Sequence, residues 1–509
     1  MAPPGADFSA HVYQLSLYVH HGFLFWTNYW YSGRYTFVDY SLIYYPLAAL
    51  VGMKLLAVLS AAGAAGVFTV LLRRVWGDSA LWSTRLFAAV IAGMFISASF
   101  PYGLGVAFGL VALLALSYER LFVFAIAVGL TLAASPLAFL FVVLVVGCAG
   151  LSRRKLRLVG PLAIVLLAGV AAVLTWRVFP ESGSYPFPGG ELLAALAFCA
   201  GGALLTWRVP AARSLRMFFV AYAALCLLSF LIPSAAGENV DRIRYVAIPI
   251  MALVLALRGW KPWPIAAAAL VFASAWNLSP IAYNLAHSDS DPSAARAFWR
   301  PTIGFLHHMF TPDYRVEVVD TVDHWEAAYL PRAGIPIARG WFRQNDFPQN
   351  ELLYDRFTAQ AYRRWLRSLG VRYVVLTTAP VDWSATHEAT LLRSGLSGLN
   401  IVFRSRNAEV FSLPHPTPIV VGPDHPAVTR LTQSSIDLRV RRPGRYRVAL
   451  HYSPYFVVRG ACIRRTRAGM ILLDVRHAGT LRIAFRLSLE RALATLADHI
   501  ASCVKHGQR

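Results

Sequence analysis

Residues 1–47 read MAPPGADFSAHVYQLSLYVHHGFLFWTNYWYSGRYTFVDYSLIYYPL, and a long series of apolar segments follows them directly. The stretch is dense in aromatic side chains and also carries ionisable ones, namely Asp7, His11, His20, His21, Arg34 and Asp39. An acidic, aromatic stretch is an unusual beginning for a membrane bundle. We therefore predict that residues 1–47 form an outer loop that covers an active site on the outer face of a membrane.

The composition indicates that much of the chain is buried in lipid. Its 509 residues are 57% hydrophobic and only 15% charged, whereas soluble proteins are about 25% charged. The net charge of +22 raises the question of nucleic acid, but the sequence has no basic run and no nucleic-acid-binding motif. Much of the positive charge lies instead in short loops, where it meets the headgroups of membrane lipids.

We predict a polytopic α-helical membrane bundle over residues 48–285, with about ten spans. The segments are 48–71, 86–100, 102–117, 121–134, 136–150, 159–176, 190–206, 217–233, 245–257 and 262–280. Arg and Lys concentrate in alternate connections, which the positive-inside rule assigns to the cytoplasm. Residues 1–47, the other loops and everything after residue 280 are then extracytoplasmic. Because the chain would begin outside, we expect that a preceding helix is missing.

The region after residue 285 has the patterns of folded domains outside the membrane. RVEVVD (315–320) and VRYVVLTT (371–378) predict buried strands flanking a helix over 351–369, hence an extracytoplasmic α/β domain over 286–400. Short alternating strands over 401–487 predict a β-sandwich, and residues 488–509 have the apolar spacing of a C-terminal helix.

The five cysteines predict no metal site, because none of their spacings matches a known metal motif. Cys148, Cys199 and Cys226 lie in apolar segments and are best explained as small buried hydrophobes. Cys462 and Cys503 would be able to pair if the C-terminal region is extracytoplasmic.

Asp7 and His11 are the first candidate pair for chemistry, since residues four apart share one face of a helix. Asp39 follows in the same stretch. A carboxyl group partly desolvated by aromatic neighbours has a raised pKa and suits general-base catalysis. The alternative is that these are solvated loop residues, or that Asp7 caps the helix that begins there.

A second candidate is GENVDRIRY (237–245), which lies at the outer end of a predicted span. Arg242 and Arg244 stand there beside Asn239 and Asp241. Ionisable groups at membrane depth are costly and are usually paired or functional, and guanidinium groups suit phosphate. The alternative is an ion pair between Asp241 and one arginine that fixes the loop.

A third candidate combines tryptophan, arginine and acids in VVDTVDHWEA (318–327) and ARGWFRQND (338–346). Trp325, Arg339 and Trp341 would suit sugar recognition if they are exposed, because sugar rings stack on aromatic faces and their hydroxyls bind charged groups. Ordinary packing within the α/β domain explains the same residues.

An acid in a first outer loop, many spans and a C-terminal outer domain together resemble the GT-C superfamily of membrane glycosyltransferases. The segments GADFSAHVYQ, GFLFWTNYWYSG, YYPLAAL, GENVDR and IPIARGWFRQND are similar to uncharacterised actinobacterial membrane proteins of the 6-pyruvoyl-tetrahydropterin-synthase-related type. That label implies no pterin chemistry here, because the chain lacks the His-rich zinc site of that enzyme.

The resemblance implies an enzyme of the bacterial plasma membrane that transfers a sugar from a polyprenyl-phosphate donor to an envelope glycan, lipid or protein. Asp7 would be the base, with Asp39 and His11 as further catalytic residues. Arg242, Arg244 and Asn239 would bind the donor phosphate, and Trp325, Arg339 and Trp341 the acceptor. No cofactor is expected, and a divalent cation is not indicated.

Two other classes of function remain open from the sequence. The first is a non-enzymatic membrane protein that assembles the envelope or binds glycan or lipid. The second is a transporter, which is less favoured because the sequence shows no internal repeat and few ionisable residues within its apolar segments.

Overall fold

The computed structural model describes residues 5–38, 40–152, 159–180, 183–287 and 291–497. Two units make up the chain. The first, here called the helical unit, comprises residues 1–5, 40–175 and 183–289, and the second, called the mixed unit, comprises residues 6–39, 176–182 and 290–509. Each unit therefore draws on three separate stretches of sequence.

The first stretch of the mixed unit contains secondary structure, whereas the sequence predicts a loop there. It forms helix α1 (Phe8–His21) and a short hairpin of β1 (Trp26–Thr27) and β2 (Arg34–Tyr35). The hairpin aromatics are buried within the mixed unit, where Trp26 and Tyr35 join an apolar core with Ile436 and Tyr446. The aromatic density of this stretch is that of a protein core.

The helical unit is composed almost entirely of apolar helices. In chain order they are α2 (Tyr44–Val51), α3 (Met53–Trp76), α4 (Leu81–Val90), α5 (Ala92–Ile96), α6 (Phe100–Ser117), α7 (Leu121–Ala134), α8 (Pro136–Ser152), α9 (Val159–Val178), α10 (Gly189–Thr206), α11 (Arg213–Leu231), α12 (Ala247–Leu257) and α13 (Trp263–His287). Helix α7 ends where Ser135 becomes extended before Pro136, as expected of a residue that precedes proline.

Six segments of the described residues are long and apolar enough to cross a membrane, so the protein is a multi-pass membrane protein. They are Met53–Ile96, Phe100–Ser117, Val159–Val178, Gly189–Thr206, Pro210–Leu231 and Trp263–His287. The predicted count of about ten is not confirmed. Two predicted spans fall within Met53–Ile96, and α7 and α8 are shorter. Helix α12 has 11 residues, most of them buried, so its apolarity reflects packing against protein.

The mixed unit continues with an α/β region. Its elements are α14 (Arg296–Met309), β3 (Arg315–Val318), α15 (Glu326–Arg332), α16 (Ala359–Ser368), β4 (Val371–Thr377), α17 (Thr386–Arg393), β5 (Asn400–Arg404) and β6 (Ala408–Ser412). One sheet has the order β3-β4-β6-β5, with β3 and β4 parallel and the other pairs antiparallel. Strands β5 and β6 thus complete this sheet, although the sequence analysis placed them in the sandwich.

Two four-stranded antiparallel sheets follow. Their elements are β7 (Val420–Val421), β8 (Ala427–Leu431), β9 (Ser435–Val440), β10 (Gly444–His451), β11 (Phe456–Val457), β12 (Ala461–Arg465), β13 (Met470–Val475) and β14 (Gly479–Phe485), before helix α18 (Leu489–Leu496). The strand orders are β12-β13-β10-β7 and β11-β14-β9-β8, and side chains from both sheets share one apolar core. Cys462 is disulfide-bonded, whereas Cys503 lies outside the described residues.

Candidate functional site

Asp7 occupies the N-cap position of α1, yet its side chain makes no capping hydrogen bond. It is half-buried, and one turn later His11 is wholly buried. The sequence left open the alternative that Asp7 caps this helix. Its side chain does not do so. Asp39 lies outside the described residues.

The start of α1 contacts the loop over residues 320–326, which joins β3 to α15. The Ser9 hydroxyl donates a hydrogen bond to the Asp323 carbonyl oxygen at 2.8 Å, and the rings of Phe8 and Trp325 lie 5.8 Å apart. The helix that carries Asp7 and His11 thus contacts the loop that carries Trp325.

Behind this loop, Arg339 is the centre of a buried charged network. Its guanidinium donates to Glu317 at 2.7 Å, to Asp320 at 2.8 Å and to Glu388 at 2.9 Å, and only 3% of Arg339 is exposed. Burial raises the pKa of the Glu317 and Glu388 carboxyls, although the charge of Arg339 opposes that rise. Buried charges of this kind require such close partners.

The same network extends through His324 to the loop after β4. His324 lies between Asp320 and Glu326 on one side and Asp382 on the other, at 3.4–3.8 Å. Burial opposes the charged imidazolium, but these three carboxylates raise the pKa of His324 well above its usual range. Asp382 also accepts a hydrogen bond from Arg343 at 2.7 Å.

The three candidate acceptor residues are buried, whereas a role in sugar recognition would require them to be exposed. The exposed fractions are 5% for Trp325, 3% for Arg339 and 9% for Trp341. The Trp341 ring stacks on His324, with ring centroids 3.5 Å apart. These side chains are part of the interior of the mixed unit, as the packing alternative proposed.

Sequence reasoning missed three acids of the network, namely Glu317, Asp382 and Glu388. Glu317 had a detectable signal, because it interrupts an otherwise apolar strand whose four residues are all buried, and a buried carboxylate implies a partner. Asp382 and Glu388 reach the network only through the packing of the loop after β4 and of α17.

The other candidate residues lie in the helical unit, in the turn over residues 237–246 between α11 and α12. Arg244 pairs with Asp241 at 3.1 Å and with Glu191 at 3.4 Å, so the ion pair that the sequence left open as the alternative to phosphate binding is present. Burial raises the pKa of Asp241 to about 8, with Arg244 opposing the rise. The Arg242 guanidinium lies 5.6 Å from the centre of the Tyr102 ring, and the Asn239 amide donates to the Ala235 carbonyl oxygen.

An apolar cavity of about 1180 Å³ lies inside the helical unit. Along α6 its wall runs from Tyr102 through Val106, Leu110 and Leu113 to Ser117, a distance of about 22 Å at the rise of an α-helix. Tyr102 and Ile243 line the cavity, so the turn that carries Arg242 borders it.

No family model and no curated protein matches the chain. Among solved structures, cryo-EM structures of the arabinofuranosyltransferase AftD from Mycobacteria and of a point mutant are similar over 81% and 82% of this chain, with 14% and 15% identity and a TM-score of 0.46 in both cases. The chain covers 38% and 40% of the length of those proteins. The resemblance to pterin-synthase-related proteins has no support in these comparisons.

Proposed function

We propose that the protein is a membrane glycosyltransferase of the GT-C type, which moves a sugar from a polyprenyl-phosphate carrier to an envelope glycan, lipid or protein. The observation that carries this proposal is the long, mostly apolar cavity within the helical unit, where Arg242 lies over Tyr102 in the cavity wall.

The cavity suits a hydrocarbon chain better than a compact ligand. Its volume of about 1180 Å³ exceeds the roughly 300–1,000 Å³ of ordinary small-molecule pockets. Its extent along α6 approaches the hydrocarbon thickness of a bilayer, which is about 30 Å. The wall is mostly apolar, and its polar residues include Ser83, Ser117, Ser214 and the one carboxylate among the lining residues, Glu119.

Arg242 provides positive charge where such a lipid would place its phosphate. The side chain is half-buried and its guanidinium lies over Tyr102, which lines the cavity. A guanidinium binds phosphate oxygens through a planar fork of donors. Arg244 lies beside Asp241 and Glu191, and we assign it to holding the turn in shape. Asn239 remains a candidate second donor to the phosphate.

We keep Asp7 as the proposed general base and Asp39 as a second candidate acid, both on the strength of the sequence resemblance. His11 is wholly buried, and we reassign it to positioning α1. We also withdraw the acceptor role for Trp325, Arg339 and Trp341, because their burial leaves no face for a sugar. In such a reaction a hydroxyl of the acceptor loses its proton to the base and attacks the anomeric carbon of the sugar. The bond from that carbon to the lipid phosphate breaks, and the configuration is inverted.

The test is transfer of radiolabelled sugar from a panel of polyprenyl-phosphate donors in proteoliposomes. We expect Asp7→Asn to lower transfer at least 100-fold, as loss of a general base does, without changing donor binding. Arg242→Ala should raise the KM for the donor. The matched control is Arg208→Ala, which removes an exposed arginine from the loop between α10 and α11 and should leave both values unchanged.

The same cavity would also serve a lipid-binding assembly factor that performs no chemistry. If the folded wild-type protein binds polyprenyl phosphate but transfers no sugar from any donor, that function replaces the enzyme. If Asp7→Asn retains full transfer, the protein is an enzyme with a different base.

A further inference from the structure

The loop over residues 320–326 brings together three side chains of the types that bind transition metals. The backbone of His324 is left-handed, with φ of 52°, a conformation that is uncommon for residues other than glycine. Its ring lies beside Asp320 and Glu326, and one donor atom from each of the three lies within 4.8 Å of the others. All three residues are buried.

The distances within this group are wrong for hydrogen bonds. Nδ1 of His324 is 3.8 Å from Oδ1 of Asp320 and 3.4 Å from Oε1 of Glu326, whereas hydrogen bonds of this kind span about 2.7–3.2 Å. Both ring nitrogens are buried without a hydrogen-bond partner. By contrast, two ligands bound at about 2.1 Å in a tetrahedral zinc site lie about 3.4 Å apart.

The surrounding groups orient these atoms as outer-shell partners do in metal sites. Arg339 holds Oδ2 of Asp320 at 2.8 Å, which leaves Oδ1 facing the histidine. The Thr321 hydroxyl donates to Glu326 Oε2 at 2.8 Å. Nε2 of His324 faces Asp382 at 3.6 Å, and a carboxylate on the far nitrogen is the usual companion of a metal-bound histidine.

Charge balance supports the same conclusion. In the described network, three basic groups face five carboxylates, which are Glu317, Asp320, Glu326, Asp382 and Glu388. Every carboxylate that is ionised in this buried site needs a cation or a hydrogen bond to offset the cost of its desolvation. A divalent cation lowers that cost directly.

We propose that Asp320, His324 and Glu326 bind one divalent first-row transition-metal ion of the zinc class. One imidazole and two carboxylates favour such an ion over calcium or magnesium, which prefer oxygen ligands alone. Nδ1, Oδ1 and Oε1 supply three ligands, and a water molecule supplies the fourth. The ion fixes the 320–326 loop, and with it the surface on which α1 rests through Ser9 and Phe8.

The first experiment measures the metal content of the full chain, purified in detergent, by mass spectrometry after dialysis against EDTA and reloading with Zn²⁺ or Mn²⁺ alone. We expect about one ion per chain for at least one of these metals, and a higher melting temperature on reloading. Glu326→Gln should lose the ion. Asp382→Asn should weaken binding by about 10- to 100-fold, as loss of an outer-shell carboxylate does. The matched control, Glu351→Gln, removes an exposed acid and should bind normally.

A substitution in this network risks unfolding the protein, so a second measurement uses the wild type alone. Loading with Co²⁺ should produce visible absorption bands typical of a tetrahedral nitrogen and oxygen site. Wild-type protein that binds no Zn²⁺, Mn²⁺ or Co²⁺ overturns the proposal, and so does a folded Glu326→Gln variant that retains the full metal content.

Discussion

His451 is a buried histidine whose environment opposes protonation. Burial, with a further contribution from Arg315, lowers its pKa to about 4, while an unfolded histidine titrates near about 6.5. The folded state therefore binds the proton less tightly than the unfolded state does. As the pH falls below about 6.5, this difference costs stability progressively, until the pH reaches about 4.

We predict that His451→Phe reduces the acid sensitivity of the fold. The wild type should lose about 2 kcal/mol between pH 7 and pH 4.5 from this group alone, and the variant should not. The measurement is the melting temperature against pH in detergent. His477→Phe, at an exposed position, should keep the wild-type dependence of melting temperature on pH. If His451→Phe also keeps the wild-type dependence, His451 is not a source of the acid sensitivity.

Arg339 is the residue whose loss should cost most. Arg339→Leu would leave Glu317, Asp320 and Glu388 buried without their cation, and breaking a buried pair in this way typically costs about 3–5 kcal/mol. We expect a melting temperature lowered by many degrees, or no folded protein. Arg364→Leu, which removes an exposed arginine of α16, should have little effect.

A double variant distinguishes two causes of the stability lost in Arg339→Leu, namely unpaired charge and lost packing. If the cost comes from unpaired carboxylates, adding Glu388→Gln to Arg339→Leu should recover part of the lost stability, since one charge is removed. Identical melting temperatures for the single and double variants would instead attribute the cost to lost packing.

At the scale of elements, a substitution in helix α6 tests whether the cavity binds the donor lipid. Leu113→Trp places a larger side chain in its wall and should raise the KM for a polyprenyl-phosphate donor several-fold while the protein stays folded. Leu167→Trp on α9 adds the same bulk at an exposed, apolar position and is the matched control. Equal KM values for both variants and the wild type would remove the cavity from the donor site.

The sequence predicts individual elements well where the pattern is local. Strands β3 and β4 fall within the predicted segments, and the Asp241–Arg244 pair follows from neighbouring residues in one turn. The number of spans is harder to predict, because α12 is apolar for packing against protein and not for contact with lipid. Hydropathy alone does not distinguish the two.

At the scale of the whole molecule, the mixed unit depends on residues far apart in sequence. Trp30 donates to the Ala327 carbonyl oxygen at 2.9 Å, Tyr31 and Phe342 exchange hydrogen bonds, and the Tyr13 hydroxyl donates to Gln433. No local pattern reveals such contacts, which is why the sequence suggests a loop in residues 1–47. For the same reason, the sequence does not reveal that Trp325 and Trp341 are buried.

We predict that residues 290–497 do not fold alone, because the hairpin aromatics would be missing from their core. Fusing residues 6–38 to this fragment through a flexible linker should restore a cooperative melting transition, measured by circular dichroism. A fusion that carries Trp26→Ala and Trp30→Ala is the control and should resemble the bare fragment. Cooperative unfolding of residues 290–497 on their own would contradict the prediction.

The interleaving of the two units also has a consequence for biosynthesis. The Tyr13 hydroxyl bonds to a side chain 420 residues later in the chain, which a ribosome working at about 5–20 residues per second reaches only after roughly 20–80 seconds. During that interval the most aromatic segment of the protein has no native core to join. Until synthesis nears its end, the aromatic side chains of this nascent segment therefore lack the partners that bury them in the folded protein.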